Sequence, residues 1–439
     1  MSDLLTASEP IAVCEAALGN PFSAHARRLH DSEVAAFDDR VADWAGWWRR
    51  HTAVWGADPM FTLAAYVGLR RDAEGDPGAC AAATARRVAV LAGLGVPVDE
   101  AMAELACRAR AVRRALDALV GDGAEMARVR EAGWKAAFGD RLDLTPSLAE
   151  LIRRTPVLIV GEPGTGKELL AQSLLLASPG AFAEGRWTPP RTDSVNLAGL
   201  PADLVAGTLF GHEKGAYTGA AKARAGLLER CAGGAVFLDE VADLPPQAQV
   251  GLLRCLQEGR VRRLGADADV EAAPRILSAT HRDLDALVGR ERFRVDLHHR
   301  LSAVVIQMPP LMARRGDILP LAERVLGMVG PDAGHALLDK LRALVEGPAA
   351  AHRWPGNVRE LIAVLHALAL GMEPRLMTGS TPVSDEVPDG ILEGTWSERE
   401  VQAWYADRVV RRAPNHTVAA ERLGVHRNTL AARLKDLRG

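Results

Sequence analysis

The chain has 439 residues, of which 25% are charged, and its formal net charge at pH 7 is −3. This length accommodates several domains, each with a hydrophobic core of its own. The near-neutral charge excludes a protein that is coated with nucleic acid along its whole length, so any DNA-binding surface must be local.

The cysteines and the apolar segments indicate the compartment. The five cysteines are scattered, odd in number and without CxxC spacing, which favours small buried residues in a reducing cytoplasm over a zinc site. No signal peptide opens the chain, and no apolar run approaches the roughly 20 residues that a membrane span needs. We therefore expect a soluble, cytoplasmic protein without a membrane partner.

Residues 1–140 are rich in alanine, with apolar residues at helical spacing, and predict an all-α N-terminal domain. Trp44, Trp47 and Trp48 fall on one helix face, where core packing is favoured and a ligand pocket or docking face is the alternative. The basic run from Arg108 to Arg114 is typical of a solvated helix face. A phosphorylatable receiver, with strands that end in acidic residues, is not indicated, so this domain is expected to be regulatory through a ligand or a protein.

From residue 141 onward the pattern changes. The run 155–160 predicts a short buried strand, and strand and helix patterns then alternate to 310, as in an α/β ATPase core. A helical stretch over 311–372 follows. Residues 373–395, rich in Pro, Gly, Ser, Thr and acids, predict a linker, and 396–439 predict a compact helical domain.

A glycine-rich loop directly follows the strand. It consists of Gly161, Glu162, Pro163, Gly164, Thr165, Gly166, Lys167 and Glu168. The glycines allow backbone N–H groups to wrap phosphates, and Lys167 would reach the β- and γ-phosphate oxygens of ATP. Glu168 occupies the position at which a generic phosphate loop has Ser or Thr for magnesium.

A second apolar strand, over 234–238, ends in two acids. Asp239 would hold Mg²⁺ through water, and Glu240 would polarise the attacking water. Two acids that merely cap a strand are the alternative, which the spacing from the phosphate loop disfavours. Together the two motifs predict an NTPase with ATP and Mg²⁺ as cofactors.

A third segment lies between the ATP motifs and consists of Gly215, Ala216, Tyr217, Thr218, Gly219 and Ala220. It closely resembles the GAFTGA loop of sigma-54-dependent activators, with Tyr217 in place of the usual Phe. The resemblance implies an AAA+ ATPase that forms a ring, expected to be a hexamer, from which this loop projects and contacts the sigma-54 RNA polymerase holoenzyme. A flexible surface turn is the alternative.

Further segments match the family in order. Residues 293–301 resemble the segment with trans-acting arginines, which implies that Arg294 and Arg300 reach the nucleotide of a neighbouring subunit. Residues 354–361 resemble the lid motif, in which Arg359 is the sensor II arginine that contacts nucleotide. Asn196 falls where the family has an asparagine that restrains the catalytic glutamate. Residues 278–284 match sensor I, with Thr280 among the catalytic residues and His281 where the family has Asn.

The C-terminal segment reads as helix, glycine turn and helix, and resembles the Fis-type helix-turn-helix of these activators. Its basic residues outnumber its acidic ones, although the whole chain has a net negative charge. The expected base contacts are Arg427, Asn428 and Thr429, and the expected phosphate contacts are Arg433 and Lys435. A structural three-helix cap is the alternative.

The sequence thus predicts an ATP-dependent activator that binds upstream DNA and remodels the closed promoter complex. One rival is a DNA-binding repressor or scaffold whose ATPase only switches its oligomeric state. A DNA-translocating AAA+ motor is another.

Overall fold

The structure is a computed structural model. It describes residues 18–23, 63–64, 84–85, 87–89, 91–93, 95–183, 186–216, 222–327, 331–377, 395–412, 416–426 and 429–430. The described residues form two compact units, over 1–377 and over 378–439. Trp44, Trp47 and Trp48 lie outside the described residues.

A parallel five-stranded sheet lies at the centre of the first unit. The spatial order of its strands is β11-β1-β10-β7-β4. These strands are β1 (Val157–Val160), β4 (Thr192–Asn196), β7 (Ala235–Asp239), β10 (Arg275–Thr280) and β11 (Val304–Gln307). The three inner strands are almost wholly buried, as expected where helices cover both faces of a parallel sheet.

Within the described residues, three two-stranded antiparallel ribbons accompany this sheet. They pair β2 (Ala181–Ala183) with β3 (Arg186–Thr188), β5 (Gly211–His212) with β6 (Arg224–Ala225), and β8 (Arg260–Arg262) with β9 (Asp269–Glu271).

Helices on one face of the sheet share its hydrophobic core. They are α1 (Glu100–Asp117), α2 (Ala124–Phe138) and α4 (Lys167–Leu175), and α3 (Thr145–Arg154) follows α2 in the chain. The rings of Trp134 and Phe138 pack 4.9 Å apart, and both side chains belong to the same buried cluster as Phe237 of β7. Helices α1 and α2, although they lie within residues 1–140, are therefore packed against the ATPase sheet. The proposed division at 140 remains a prediction.

The other face of the sheet is covered by a second set of helices. They are α5 (Ala202–Phe210), α6 (Leu227–Arg230), α7 (Pro246–Glu258), α8 (Leu284–Gly289) and α9 (Val295–Leu301). Leu209, Leu252 and Leu297 are fully buried in the cluster between these helices and the sheet. Cys107, Cys231 and Cys255 are buried as well, as the sequence predicted for its cysteines.

A helical lid follows β11 and has its own core. It begins with a 3₁₀ segment (Leu311–Asp317) and continues with α10 (Ile318–Leu326), α11 (Pro331–Glu346) and α12 (Asn357–Ala369). Leu311, Trp354 and Leu361 are fully buried in this core. The predicted fold, a P-loop AAA+ α/β domain with a helical lid, is confirmed for this part of the chain.

The second unit contains α13 (Glu398–Arg412) and α14 (His416–Arg422). Ala406, Ala419, Ala420 and Leu430 form its small buried cluster, in which the alanines allow the helices to approach closely. Among the described residues of the whole chain, no helix is long and apolar enough to cross a membrane.

Candidate nucleotide site

The phosphate loop joins the carboxyl end of β1 to the first residue of α4. Gly164 (φ +76°) and Gly166 (φ +101°) adopt left-handed backbone conformations that favour glycine. A Cβ atom on Gly164 would lie only 2.4 Å from the carbonyl oxygen of Gly356, so the lid backbone approaches this loop closely. Conformation therefore requires glycine at both positions, and at Gly164 the space requires it as well.

Lys167 is the first residue of α4, and only 7% of it is exposed. Its Nζ donates hydrogen bonds to the carbonyl oxygens of Gly161, at 2.9 Å, and Glu162, at 3.2 Å. Burial lowers the pKa of Lys167, and the carboxylates of Glu240 and Asp239 oppose that shift. The ammonium group therefore lies within the electrostatic reach of both acids.

Asp239 is the last residue of β7. Because β4 and β7 run parallel, Asn196 is its direct partner in the strand register, and Asn196 Nδ2 donates to Asp239 Oδ2 at 2.9 Å. Burial, followed by the neighbouring carboxylate of Glu240, raises the pKa of Asp239, whereas Lys167 acts to lower it. This carboxylate therefore lies in an environment that disfavours its charge and favours a nearby cation.

Glu240 leaves the strand in a left-handed conformation (φ 55°), which is uncommon for a residue with a side chain. Its Oε2 lies 2.8 Å from Nδ1 of His281 and accepts a long hydrogen bond of 3.5 Å from Oγ1 of Thr280. Asn196, which the family resemblance implies as the restraint on the glutamate, contacts Asp239 in this structure, and its action on Glu240 remains a prediction. The strand register places Asn196 beside Asp239, and the side chain that contacts Glu240 at 2.8 Å is that of His281, which directly follows β10.

The lid contacts the phosphate loop through Asn357, which is fully buried with φ 52°. Its Nδ2 donates to Oε2 of Glu162 at 2.9 Å and to the carbonyl oxygen of Pro163 at 3.1 Å. Its Oδ1 accepts from the backbone N–H of Leu311 at 2.6 Å. The side-chain amide of Asn357, the first residue of α12, thus links the phosphate loop to Leu311, the first residue of the lid.

Arg359 lies two residues further along α12, next to the same loop. Its Cβ lies close to Gly164, and its charge contributes to the lowered pKa of Lys167. The side chain is exposed. The structure therefore brings together, at one end of the sheet, the predicted loop, both acids, Thr280 and the sensor II arginine.

Comparisons with known proteins identify the family. The sigma-54 interaction domain matches residues 142–307. The chain is 33% identical over 362 residues to the DNA-binding transcriptional regulator NtrC of Klebsiella pneumoniae, a match that covers 73% of this chain and 75% of that protein. The chain belongs to the sigma-54-dependent activators.

The hydrogenase transcriptional regulatory protein HoxA of Cupriavidus necator is 38% identical over 320 residues. That match covers 68% of this chain and 64% of HoxA, so the chain spans slightly less than two thirds of this relative. A solved structure of NtrX from Brucella abortus in complex with ATP is 27% identical, covers 80% of this chain and 76% of that chain, and has a TM-score of 0.44.

The two arginines that the activator family implies for a neighbouring subunit are both exposed, at α9. Arg294 precedes the helix and forms a two-pronged ion pair with Asp296, with nitrogen–oxygen distances of 3.0 and 2.8 Å. Arg300, on the last turn, forms no hydrogen bond or ion pair within the described part of the chain.

The loop of this activator that resembles GAFTGA is described only at its start. Gly215 is left-handed (φ +82°), and the backbone N–H of Ala216 donates to the carbonyl oxygen of Glu213 at 3.2 Å. Arg263 supports the base of the loop by contacting Glu213 at 3.0 Å. Residues 217–220, with Tyr217 and Thr218, lie outside the described residues.

At the C-terminal end, Gly424 adopts a left-handed conformation (φ +62°) after α14, as the predicted turn requires. Thr429 is exposed and Leu430 buried in the following helical residues. Arg427, Asn428, Arg433 and Lys435 lie outside the described residues, so their roles remain predictions.

Sequence reasoning missed two groups that shape the site. Asn357 belongs to the recognised lid motif, but only its positive φ and its burial reveal the link to the loop. Arg314 is buried and donates from Nη2 to the carbonyl oxygen of Thr165 at 2.9 Å. Neither contact has a local sequence signal, because each joins residues more than a hundred positions apart.

Proposed function

We propose that the protein is an ATP-hydrolysing activator of transcription from sigma-54 promoters. The observation that carries the proposal is the meeting of Lys167, Asp239 and Glu240 at one edge of the sheet, inside the region that matches the sigma-54 interaction domain. A chain that served only as a scaffold would not need a buried ammonium group beside two acids.

ATP would bind with its phosphates against the loop 161–167, where Lys167 neutralises their charge. Mg²⁺ would neutralise developing phosphate charge, and the oxygen donors beside Lys167 suit it. Asp239 would hold it through water, and its raised pKa reflects a carboxylate that gains from an added cation. Glu240, oriented by His281, would accept the proton of the attacking water, and Arg359 would contact the nucleotide from the lid.

The chain would act as a ring, expected to be a hexamer. Arg294 and Arg300 are exposed at α9, where an adjacent subunit can approach them. An arginine from a neighbouring subunit stabilises transition-state charge with its planar fork. Hydrolysis would thereby become dependent on assembly.

The loop 215–220 would transmit hydrolysis to the sigma-54 RNA polymerase holoenzyme and convert the closed promoter complex into the open one. Residues 396–439 would bind upstream DNA, with Arg427, Asn428 and Thr429 at bases and Arg433 and Lys435 at phosphates. Residues 1–140 would regulate the ATPase by binding a small ligand or a protein, and the protein would work in the cytoplasm.

A purified transcription system with a sigma-54 promoter tests this proposal. We expect open complexes with ATP and none with a non-hydrolysable analogue. Thr218→Ala should abolish open-complex formation while ATP hydrolysis continues, and Thr192→Ala, at an exposed position of β4, should behave like the wild type. Normal promoter opening by Thr218→Ala, or DNA-stimulated hydrolysis that is indifferent to sigma-54, would refute the remodelling mechanism.

A further inference from the structure

A second cavity lies at the opposite end of the sheet from the phosphate loop. It has a volume of about 560 Å³ and lies between the first turns of α1, helix α3 and the segment 177–181. Gly234, which directly precedes β7, and Arg275, the first residue of β10, also line it. This size is typical of sites for small organic molecules.

The cavity is separate from the nucleotide site because parallel strands begin at one edge of a sheet and end at the other. β10 runs from Arg275 in the cavity to Thr280 beside Glu240. Six strand residues span roughly 17 Å. A molecule in the cavity would therefore not contact the phosphates of a nucleotide.

Arg275 is the main polar feature of the cavity, and only 5% of it is exposed. Its Nε donates to the carbonyl oxygen of Thr155 at 3.2 Å, and its Nη2 to that of Ala136 at 2.6 Å. No carboxylate among the described residues pairs with it, and its Nη1 has no hydrogen bond there. Burial lowers the pKa of Arg275 to about 10, so the group is still charged at neutral pH.

A buried charge without a counter-charge is costly, and proteins commonly pair such groups or use them to bind ligands. The carboxylate of Glu104, which also lines the cavity, is already engaged. It accepts from Nε of Arg108 and from the backbone N–H of Gly180, both at 2.8 Å. The positive charge of Arg275 is therefore left for an anion that enters the cavity.

Ser178 provides a second unsatisfied group. Its residue is 3% exposed, and its hydroxyl has no hydrogen-bond partner within the described residues although it is buried. Ser178 lines the same cavity as Arg275. A hydroxyl can donate to an anionic oxygen and would complete the coordination of an acid group.

The rest of the lining indicates the body of the ligand. Ala101, Leu105, Ala137, Pro146 and Ile152 contribute mainly apolar surface. The other charged side chains of the lining are the exposed Glu100, the partly exposed Asp99 and Arg153, and Arg108, which is paired with Glu104. The apolar part of a ligand would bury surface here without leaving one of its own polar groups unsatisfied.

We propose that this cavity binds a small organic acid, with its carboxylate against Arg275 and Ser178 and its apolar body between α1 and α3. The site would also couple to the ATPase, a step that rests on the proposed function. Gly234 directly precedes β7, which ends at Asp239, and Arg275 begins β10, which ends at Thr280. A ligand that shifts these strands would therefore act on the acid pair. The acid would then be the small-molecule signal of this activator.

Calorimetric titration of the full chain tests the binding step without requiring ATP hydrolysis or sigma-54. The probes are cyclohexanecarboxylate and the uncharged cyclohexanecarboxamide, which have nearly the same shape. We expect the acid to bind at least about tenfold more tightly than the amide, because a charge-assisted hydrogen bond is lost with the amide. Equal affinities, or no saturable binding of the acid, would overturn the proposal.

Variants locate the binding. Ala149→Trp, on the cavity side of α3, should abolish acid binding, whereas Ser147→Trp, on the same helix but outside the lining, should retain it. Ser178→Ala should weaken acid binding several-fold without changing amide binding, which keeps the test decisive if Arg275→Gln does not fold. Acid binding that survives Ala149→Trp would place the site elsewhere. If the acid binds without changing the ATPase rate, the proposed coupling to ATP hydrolysis would be refuted and the binding site would stand.

Discussion

Nδ1 of His281 lies 2.8 Å from Oε2 of Glu240, where the carboxyl ends of β10 and β7 meet. The two strands are neighbours and run parallel, so the residues that follow them emerge at the same edge. Asn196, which the family resemblance assigned to the glutamate, is instead bonded to Asp239. His281 is therefore the side chain in contact with Glu240, and in the mechanism that we propose it orients this carboxylate.

His281→Ala should lower kcat for ATP hydrolysis by roughly tenfold, because a hydrogen bond to a charged group is worth about 1.5–3 kcal/mol. KM for ATP should change little, since His281 contacts the carboxylate and not the phosphate loop. Steady-state ATPase assays check both values. His281→Asn, which restores an amide at this position, is the control and should retain most of the activity. An unchanged kcat in His281→Ala would show that the contact has no catalytic role.

The raised pKa of Asp239 predicts a pH-dependent cost to stability. An aspartate whose folded-state pKa exceeds its unfolded value of 3.8 binds its proton more tightly when folded, so its contribution to stability falls as pH rises through the folded pKa. Asp239→Asn should therefore raise the melting temperature at pH 7 and lose ATPase activity. The melting-temperature difference from the wild type should shrink as the pH approaches 4. A destabilised variant at pH 7 would contradict the sign of this shift.

The positions of the proposed catalytic residues in the fold could be predicted from the sequence, but the side chains that contact them could not. The glycine loop after a strand and two acids at a strand end are local patterns, so Lys167, Asp239 and Glu240 could be placed from the sequence. The contact of His281 with Glu240 depends on which strands are neighbours and on their register. Neither quantity is encoded within a short segment.

The surface against which α1 and α2 pack could likewise not be predicted from the sequence. Their helical pattern was visible, and it suggested a domain that ends near 140. Trp134 and Phe138 are nevertheless buried with Phe237 of the sheet, because an apolar helix face does not specify the surface that it will cover. The cavity at Arg275 arises from this packing and could not be predicted.

Gly164→Ala tests the close approach of the lid to the phosphate loop. The added Cβ would meet the carbonyl oxygen of Gly356 at 2.4 Å, in addition to the strain of φ +76°. Gly233→Ala is the matched control, since φ is +78° and no atom lies within 4 Å of the added Cβ. The control should lose about 1–2 kcal/mol of stability for the left-handed backbone alone and keep its nucleotide affinity.

Gly164→Ala should in addition bind a fluorescent ATP analogue at least about tenfold more weakly, since displaced N–H groups no longer converge on the phosphates. Fluorescence titration measures the Kd, and thermal melts measure the stability loss. Similar affinities for the two variants would mean that the loop and the lid separate when nucleotide binds.

Arg300 is exposed on α9 without a partner in the described part of the chain, which suits a side chain that acts on an adjacent subunit. Lys167→Ala and Arg300→Ala should each reduce ATPase activity by about 10³-fold or more when they assemble alone. Co-expressed at equal amounts, they should recover activity, because random mixing places an intact Lys167 opposite an intact Arg300 at roughly a quarter of the interfaces. ATPase assays of the purified mixed assemblies measure the recovery.

Arg292→Ala, at a nearby exposed position, should keep wild-type activity by itself. A mixture no more active than its parents would mean that Arg300 does not complete a site across the subunit interface, and the mechanism would then require Arg294 in that role.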